Sequence, residues 1–130
     1  MAFTMQSLTP ILLVDAIEPC LDFWRRLGFA VTVEVLEGDA LGFVILKNGP
    51  VDVMYQTRAS VLKDAPAMAD FPSSSILYID VTNIDEVIAA VSDAPVLDPK
   101  RTTFYGATEY TVREPGGNAV GFAEMSGHAG

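Results

Sequence analysis

Two stretches of the chain carry apolar residues at helical spacing. Ile17, Cys20, Leu21 and Trp24 stand at i, i+3, i+4 and i+7, and Ile84, Val87, Ile88 and Val91 repeat that stripe 67 residues later. Both patterns predict amphipathic helices. Asp15 with Glu18 three residues on, and Asn83 with Glu86, have the spacing of capping boxes. Pro19 falls in the first turn of the first helix, where its missing N–H costs little. Gly28 stands where a helix would stop.

Between and after the helices the pattern switches to short β-rich runs. Residues 9–14, 29–36, 41–47 and 51–56 read as strands in the first half, and 75–81, 95–98, 108–113 and 118–124 in the second. Asn48-Gly49 is a strong hairpin signal. Residues 59–72, with prolines at 66 and 72, read as a linker with room for a helical turn, and 99–106 as a loop. The order is thus β-α-β-β-β twice within one α+β domain spanning 1–130: module one about 8–58, linker 59–72, module two about 73–125. Gln56 and Glu124, the last polar residues of the two halves, are 68 residues apart.

The hairpin that closes the second half turns at Glu114-Pro115-Gly116-Gly117. In its last strand Ala119, Gly121 and Ala123 share one face, and Val120, Phe122 and Glu124 the other. The face of small residues predicts a helix packed close behind it. Glu124 then reads either as a solvated strand end or as a carboxylate aimed into a pocket.

Composition narrows the functional classes. Half of the 130 residues are hydrophobic and 19% are charged, which excludes a disordered chain. No apolar run reaches the roughly 20 residues of a membrane span. The N-terminal stretch has neither the positive charge nor the cleavage pattern of a signal peptide. Cys20 is the single cysteine, so no internal disulfide forms and a reducing cytoplasm is expected. With 17 acidic against 8 basic residues the net charge is −9, which argues against nucleic acid as a partner. The same charge suits a cationic small ligand, although acidity also serves solubility alone.

Several phrases together resemble the vicinal oxygen chelate superfamily, the glyoxalase/bleomycin-resistance/dioxygenase fold. They are Thr9-Pro10-Ile11-Leu12; Phe23-Trp24 followed by Leu27-Gly28-Phe29; and Tyr105-Gly106, Arg113-Glu114-Pro115-Gly116-Gly117-Asn118 and Phe122-Ala123-Glu124. The chain is most similar to the bleomycin-resistance branch, whose first strand opens on proline. The resemblance implies two curved sheets with helices on the convex sides and a ligand cleft on the concave sides. It also implies a homodimer, with the cleft completed by both chains in many members. On this reading Val120, Phe122 and Glu124 face the cleft.

Metal-dependent members of the superfamily carry ligands on the first and last strands of each half. Carried over, these places are Gln56 and Glu124 on the last strands, and Leu8/Thr9 and Ser74/Ser75 where the enzymes have histidine. The single histidine, His128, is in the tail. One carboxylate, one amide and neutral hydroxyls are a poor donor set for a divalent catalytic metal, and no metal or other cofactor is expected. Cys20 lies on the helix stripe and reads as core, as does Trp24, with ligand stacking the alternative for Trp24. Gly116-Gly117 opens no helix and is no phosphate cradle.

The expected ligand-binding set is Phe43, Met54, Gln56, Tyr105, Tyr110, Phe122 and Glu124, each aromatic being equally compatible with core packing. Glu34, Glu37 and Asp39 add negative charge near the mouth or form a solvated face. The function expected is binding without turnover of a cationic or aromatic small molecule. The alternative is a metal-dependent lyase, isomerase or dioxygenase with a degenerate site.

Overall fold

The first helical stripe is wholly buried: Ile17, Cys20, Leu21 and Trp24 lie in the core. They form part of helix α1 and its entry (Glu18–Arg26), which packs on a sheet made from strands β1 (Ile11–Val14), β2 (Ala30–Glu37), β3 (Ala40–Asn48) and β4 (Val51–Thr57). The strands run in the order β1-β4-β3-β2, with β1 parallel to β4 and the other pairs antiparallel. Leu12, Val14, Val44, Leu46, Val53 and Tyr55 form the helix-facing side of this sheet. The structure, a computed structural model, describes residues 2–72 and 74–126; His128 lies outside them.

The second half repeats the plan. Strands β5 (Ile76–Asp80), β6 (Val96–Thr102), β7 (Ala107–Arg113) and β8 (Ala119–Met125) assemble in the order β5-β8-β7-β6, and helix α3 (Ile84–Ala90) packs on β7 and β8. The fold is therefore α+β, two tandem βαβββ-like modules with two four-stranded mixed sheets. The stretch expected as a linker contains helix α2 (Arg58–Asp64), capped by the Thr57 hydroxyl, and a 3-10 turn at Pro66–Met68. Strand β6 runs through Pro99 into residues expected as a loop. It is an edge strand with register shifts around the proline, the setting in which a missing N–H is tolerated.

Neither predicted capping box forms. The position before α1 is Ile17, without a side-chain cap, and Glu18 instead accepts the N–H of Leu41 at 2.7 Å, which holds its carboxyl below its ordinary range. Asn83 makes no cap bond either. The first N–H of α3, on Ile84, goes to Glu124 Oε1 at 2.9 Å, so the cap comes from the neighbouring strand.

The first and last strands of the two halves share one offset, while β3 and β7 differ by 66 (Val44 pairs with Tyr55, Tyr110 with Phe122). Leu12 pairs with Tyr55 in the first sheet, and Ile79 pairs with Phe122 in the second, each residue displaced by 67 from its counterpart. The same shift carries Trp24 to Val91, both buried. The counterpart of Gln56 is therefore Ala123, not Glu124. Because strand side chains alternate with a period of two, a slip of one residue exchanges the two faces. The faces of β8 are thus opposite to those expected: Val120 and Phe122 join the core beneath α3, and Ala119, Gly121 and Ala123 lie on the side away from it.

The modules are joined at their helix-facing sides. Tyr55 of β4 donates to the buried carboxylate of Glu114, in the turn between β7 and β8, while its oxygen accepts from Trp24 Nε1 at 2.8 Å. Gly116 sits against Val14 and Cys20, where a Cβ would come within 2.9 Å of Val14 Cγ1. Arg26 spans the two halves by pairing with both Asp22 and Asp93.

Candidate functional site

The side of each sheet that faces away from α1 and α3 carries the chemistry. In the first sheet it presents Leu13, Phe43, Ile45, Met54 and Gln56, all half-buried, with Val33 and Val35 of β2 exposed beside them. Phe43 is paired with Gln56 across β3 and β4, so the expected residues Phe43, Met54 and Gln56 do share one face. The Gln56 amide donates to Ser60 Oγ at 3.1 Å and to Asp64 Oδ2 at 3.3 Å, which ties it to α2. Glu37 is engaged with Lys63 at 2.6 Å.

In the second sheet the open face is centred on Glu109, in the inner strand β7. Tyr78 and Tyr105 both donate their hydroxyls to Glu109 Oε2. Arg101 Nη2 lies 3.4 Å from Oε1, while Arg101 Nε pairs with Asp98 at 2.9 Å. Glu109 is only 7% exposed, and the side chains bonded to it come from its own sheet and the adjoining loop. The two tyrosine hydroxyls, then the arginine, hold its carboxyl below the ordinary range, and Tyr78 is raised in turn chiefly by the bond to Glu109. At neutral pH this is a negative charge held by two phenol hydroxyls.

The small residues of β8 make this cluster possible. Tyr78 is on β5 and Glu109 on β7, with β8 between them. Tyr78 is paired with Gly121, and a Cβ there would stand 3.7 Å from Tyr78 Cδ1 and 3.2 Å from Thr111 Oγ1. The bare backbone lets the ring cross the strand and reach the carboxylate. The row Ala119, Gly121, Ala123 therefore makes room for Tyr78 and not for a helix.

Of the seven expected residues, Phe43, Met54, Gln56 and Tyr105 lie on open faces. Tyr110, Phe122 and Glu124 lie on the α3 side. Phe122 floors a groove of about 490 Å³ between the modules, bordered by Leu27, Phe29, Pro50 and Val81. Glu124 borders a shallow polar hollow at the start of α3, beside Lys100. Glu109 and Tyr78 were missed: the 67-residue offset of the helices would have carried Ile11 of the open face to Tyr78, but it carries Phe43 to Tyr110, and only the pairing of Glu109 with Ala123 places Glu109 on that face.

A metal site of the kind used by the superfamily's enzymes does not fit these residues. Gln56 is bound to α2, Glu124 is turned to α3, and Thr9 and Ser75 supply neutral oxygen only. Among the described residues no group of three or more His, Cys, Asp or Glu side chains is placed to hold a metal ion. Cys20 is buried and its thiol is pushed up to about 12, chiefly by burial, so it is no nucleophile at neutral pH. Among the described residues no helix is long and apolar enough to cross a membrane.

Solved structures share this architecture at low identity. TioX from Micromonospora sp. ML1 superposes with a TM-score of 0.74 at 16% identity, covering 93% of this chain and 99% of that one. A lactoylglutathione lyase from Agrobacterium tumefaciens gives 0.69 at 18%, covering 93% and 94%. A glyoxalase/bleomycin resistance protein/dioxygenase family enzyme from Burkholderia phytofirmans PsJN gives 0.69 at 15%, covering 90% and 96%. At such identities the likeness is one of fold. No curated protein sequence matches significantly. The model of the Glyoxalase/Bleomycin resistance protein/Dioxygenase superfamily, however, matches residues 5–122, and with the duplicated modules this establishes that the chain belongs to that superfamily.

Proposed function

We propose that this protein is a small-molecule-binding member of its superfamily, of the bleomycin-resistance type, which sequesters a cationic or aromatic ligand without turning it over. The observation that carries this reading is the composition of the open faces: aromatic, thioether and aliphatic side chains on the first sheet, and two tyrosines on a fixed carboxylate, Glu109, on the second. An apolar wall with few polar anchors suits small-molecule recognition. On the second sheet's open face Glu109, Tyr78 and Tyr105 are held in hydrogen bonds to one another, and Cys20 is buried in the core.

The ligand cleft is completed by a second copy of the chain. Ile11, Val33, Val35 and Ile76 are exposed apolar side chains, on strands whose alternation places them on the open faces. Apolar surface of this kind marks an interaction site. Sedimentation at micromolar concentration is expected to give a dimer, and Ile76→Asp, at a position 82% exposed within one chain, a folded monomer. We place its action in the cytoplasm, in keeping with a single reduced cysteine.

Calorimetry against cationic glycopeptide and aromatic antibiotics tests the binding reading. Saturable binding with the ligand recovered unchanged supports it, and a panel without binding removes it. Stoichiometric zinc, nickel, manganese or iron in purified protein, lost in Gln56→Ala, would instead favour the lyase, isomerase or dioxygenase chemistry found elsewhere in the superfamily.

A further inference from the structure

The polar cluster on the second sheet has an unusual balance of charge and hydrogen bonding. Glu109 and Asp98 share one guanidinium, that of Arg101, so the cluster keeps a net negative charge. Yet both oxygens of Glu109 are occupied, Oε2 by two phenol hydroxyls and Oε1 by Arg101. A carboxylate offers about four acceptor positions, and three are taken. A guanidinium or primary ammonium ligand finds a single acceptor position left, and pairing through two N–H groups would displace one of these donors. A cation that carries no N–H needs no such exchange and is drawn by the field alone.

The surroundings match such a cation. Tyr78 and Tyr105 turn their hydroxyls inward to Glu109 but remain 54% and 53% exposed, and Phe104, fully exposed, stands edge-to-face on Tyr105 with ring centroids 5.0 Å apart. Ring faces beside a net negative charge are what quaternary ammonium groups select.

Resting on the binding reading above, we propose that Glu109, Tyr78, Tyr105 and Phe104 form the subsite for the charged end of the ligand, and that this end is a quaternary or fully alkylated ammonium.

The test uses the full chain, with choline and its neutral carbon isostere 3,3-dimethylbutan-1-ol as probes and tyrosine-ring NMR shifts as the readout. Choline is expected to bind about tenfold more tightly than the alcohol, the size of a partly desolvated cation–π site. Glu109→Gln should abolish that preference. Phe104→Ala, at a fully exposed position that folding does not need, should weaken choline about threefold. Equal affinities, a preference that survives Glu109→Gln, or no shift with choline each overturns the subsite. The antibiotic panel tests the binding reading separately, so one can fail while the other stands.

Discussion

Tyr55 and Glu114, 59 residues apart in the chain, share a buried hydrogen bond that joins the first module to the second. Glu114 is 1% exposed and also accepts from the backbone and side chain of Asn118. The carboxylate is thereby surrounded by donors from both halves, and Trp24 completes the chain of bonds from α1.

Replacing Tyr55 by Phe keeps the ring but leaves Trp24 Nε1 without its acceptor and Glu114 short of one donor, all buried. The expected cost is about 2 kcal/mol, since an orphaned buried polar group loses its full hydration. Urea denaturation checks this, and an unchanged midpoint would mean the bond adds nothing to the joint between the modules.

Glu124→Ala removes the cap that β8 supplies to α3. A loss of about 1 kcal/mol is expected, as for other helix caps. Because Glu124 lies on the α3 side, ligand affinity should stay the same. Titration of the variant with any ligand found for the wild type decides between this role and a place in the cleft.

Gly121→Val places methyl groups where Tyr78 crosses β8, with Thr111 Oγ1 already 3.2 Å from the position of a Cβ. Overpacking of this kind costs about 1–3 kcal/mol. The variant should displace the Tyr78 ring, visible in its NMR resonances, and lose cation binding together with it. A Tyr78 resonance unmoved by the substitution would contradict the contact.

Glu109 sets an acid limit on the cluster. Its folded carboxyl is held below the unfolded value, first by Tyr105, then by Tyr78 and, more weakly, Arg101. A depressed value contributes stability that is complete above the unfolded pKa of about 4.3 and lost as pH falls through the folded one. The stability gap between wild type and Glu109→Gln should therefore be level above about pH 5 and change, at the expense of the wild type, only below it. A gap that shifts between about pH 6 and 8 would place the titration on another group.

Much of the architecture could be read along the chain because it depends on local pattern. The stripes Ile17–Trp24 and Ile84–Val91, the turns at Asn48-Gly49 and Glu114–Gly117, and the repeated order of elements all follow from spacing within a few residues. Cys20 and Trp24 were legible as core for the same reason. Gln56, Met54 and Phe43 could be placed on one face by alternation alone. The helix caps could not, because Asp15 and Asn83 have the right spacing but Leu41 and Glu124, from other strands, enter the same bonds.

The sequence by itself thus determined the elements, their duplication and the absence of a histidine-rich donor set in the body of the fold. Tertiary structure decided which face of β8 meets α3. Alternation leaves two faces with no sign to tell them apart, and a row of Ala, Gly and Ala permits either a close helix or an overlying ring. Packing settled it: Val120 and Phe122 bury more apolar surface under α3, so Ala119, Gly121 and Ala123 take the opposite face, where Gly121 leaves open the path from Tyr78 to Glu109. Those partners are 31 residues apart, and only the sheet brings them together.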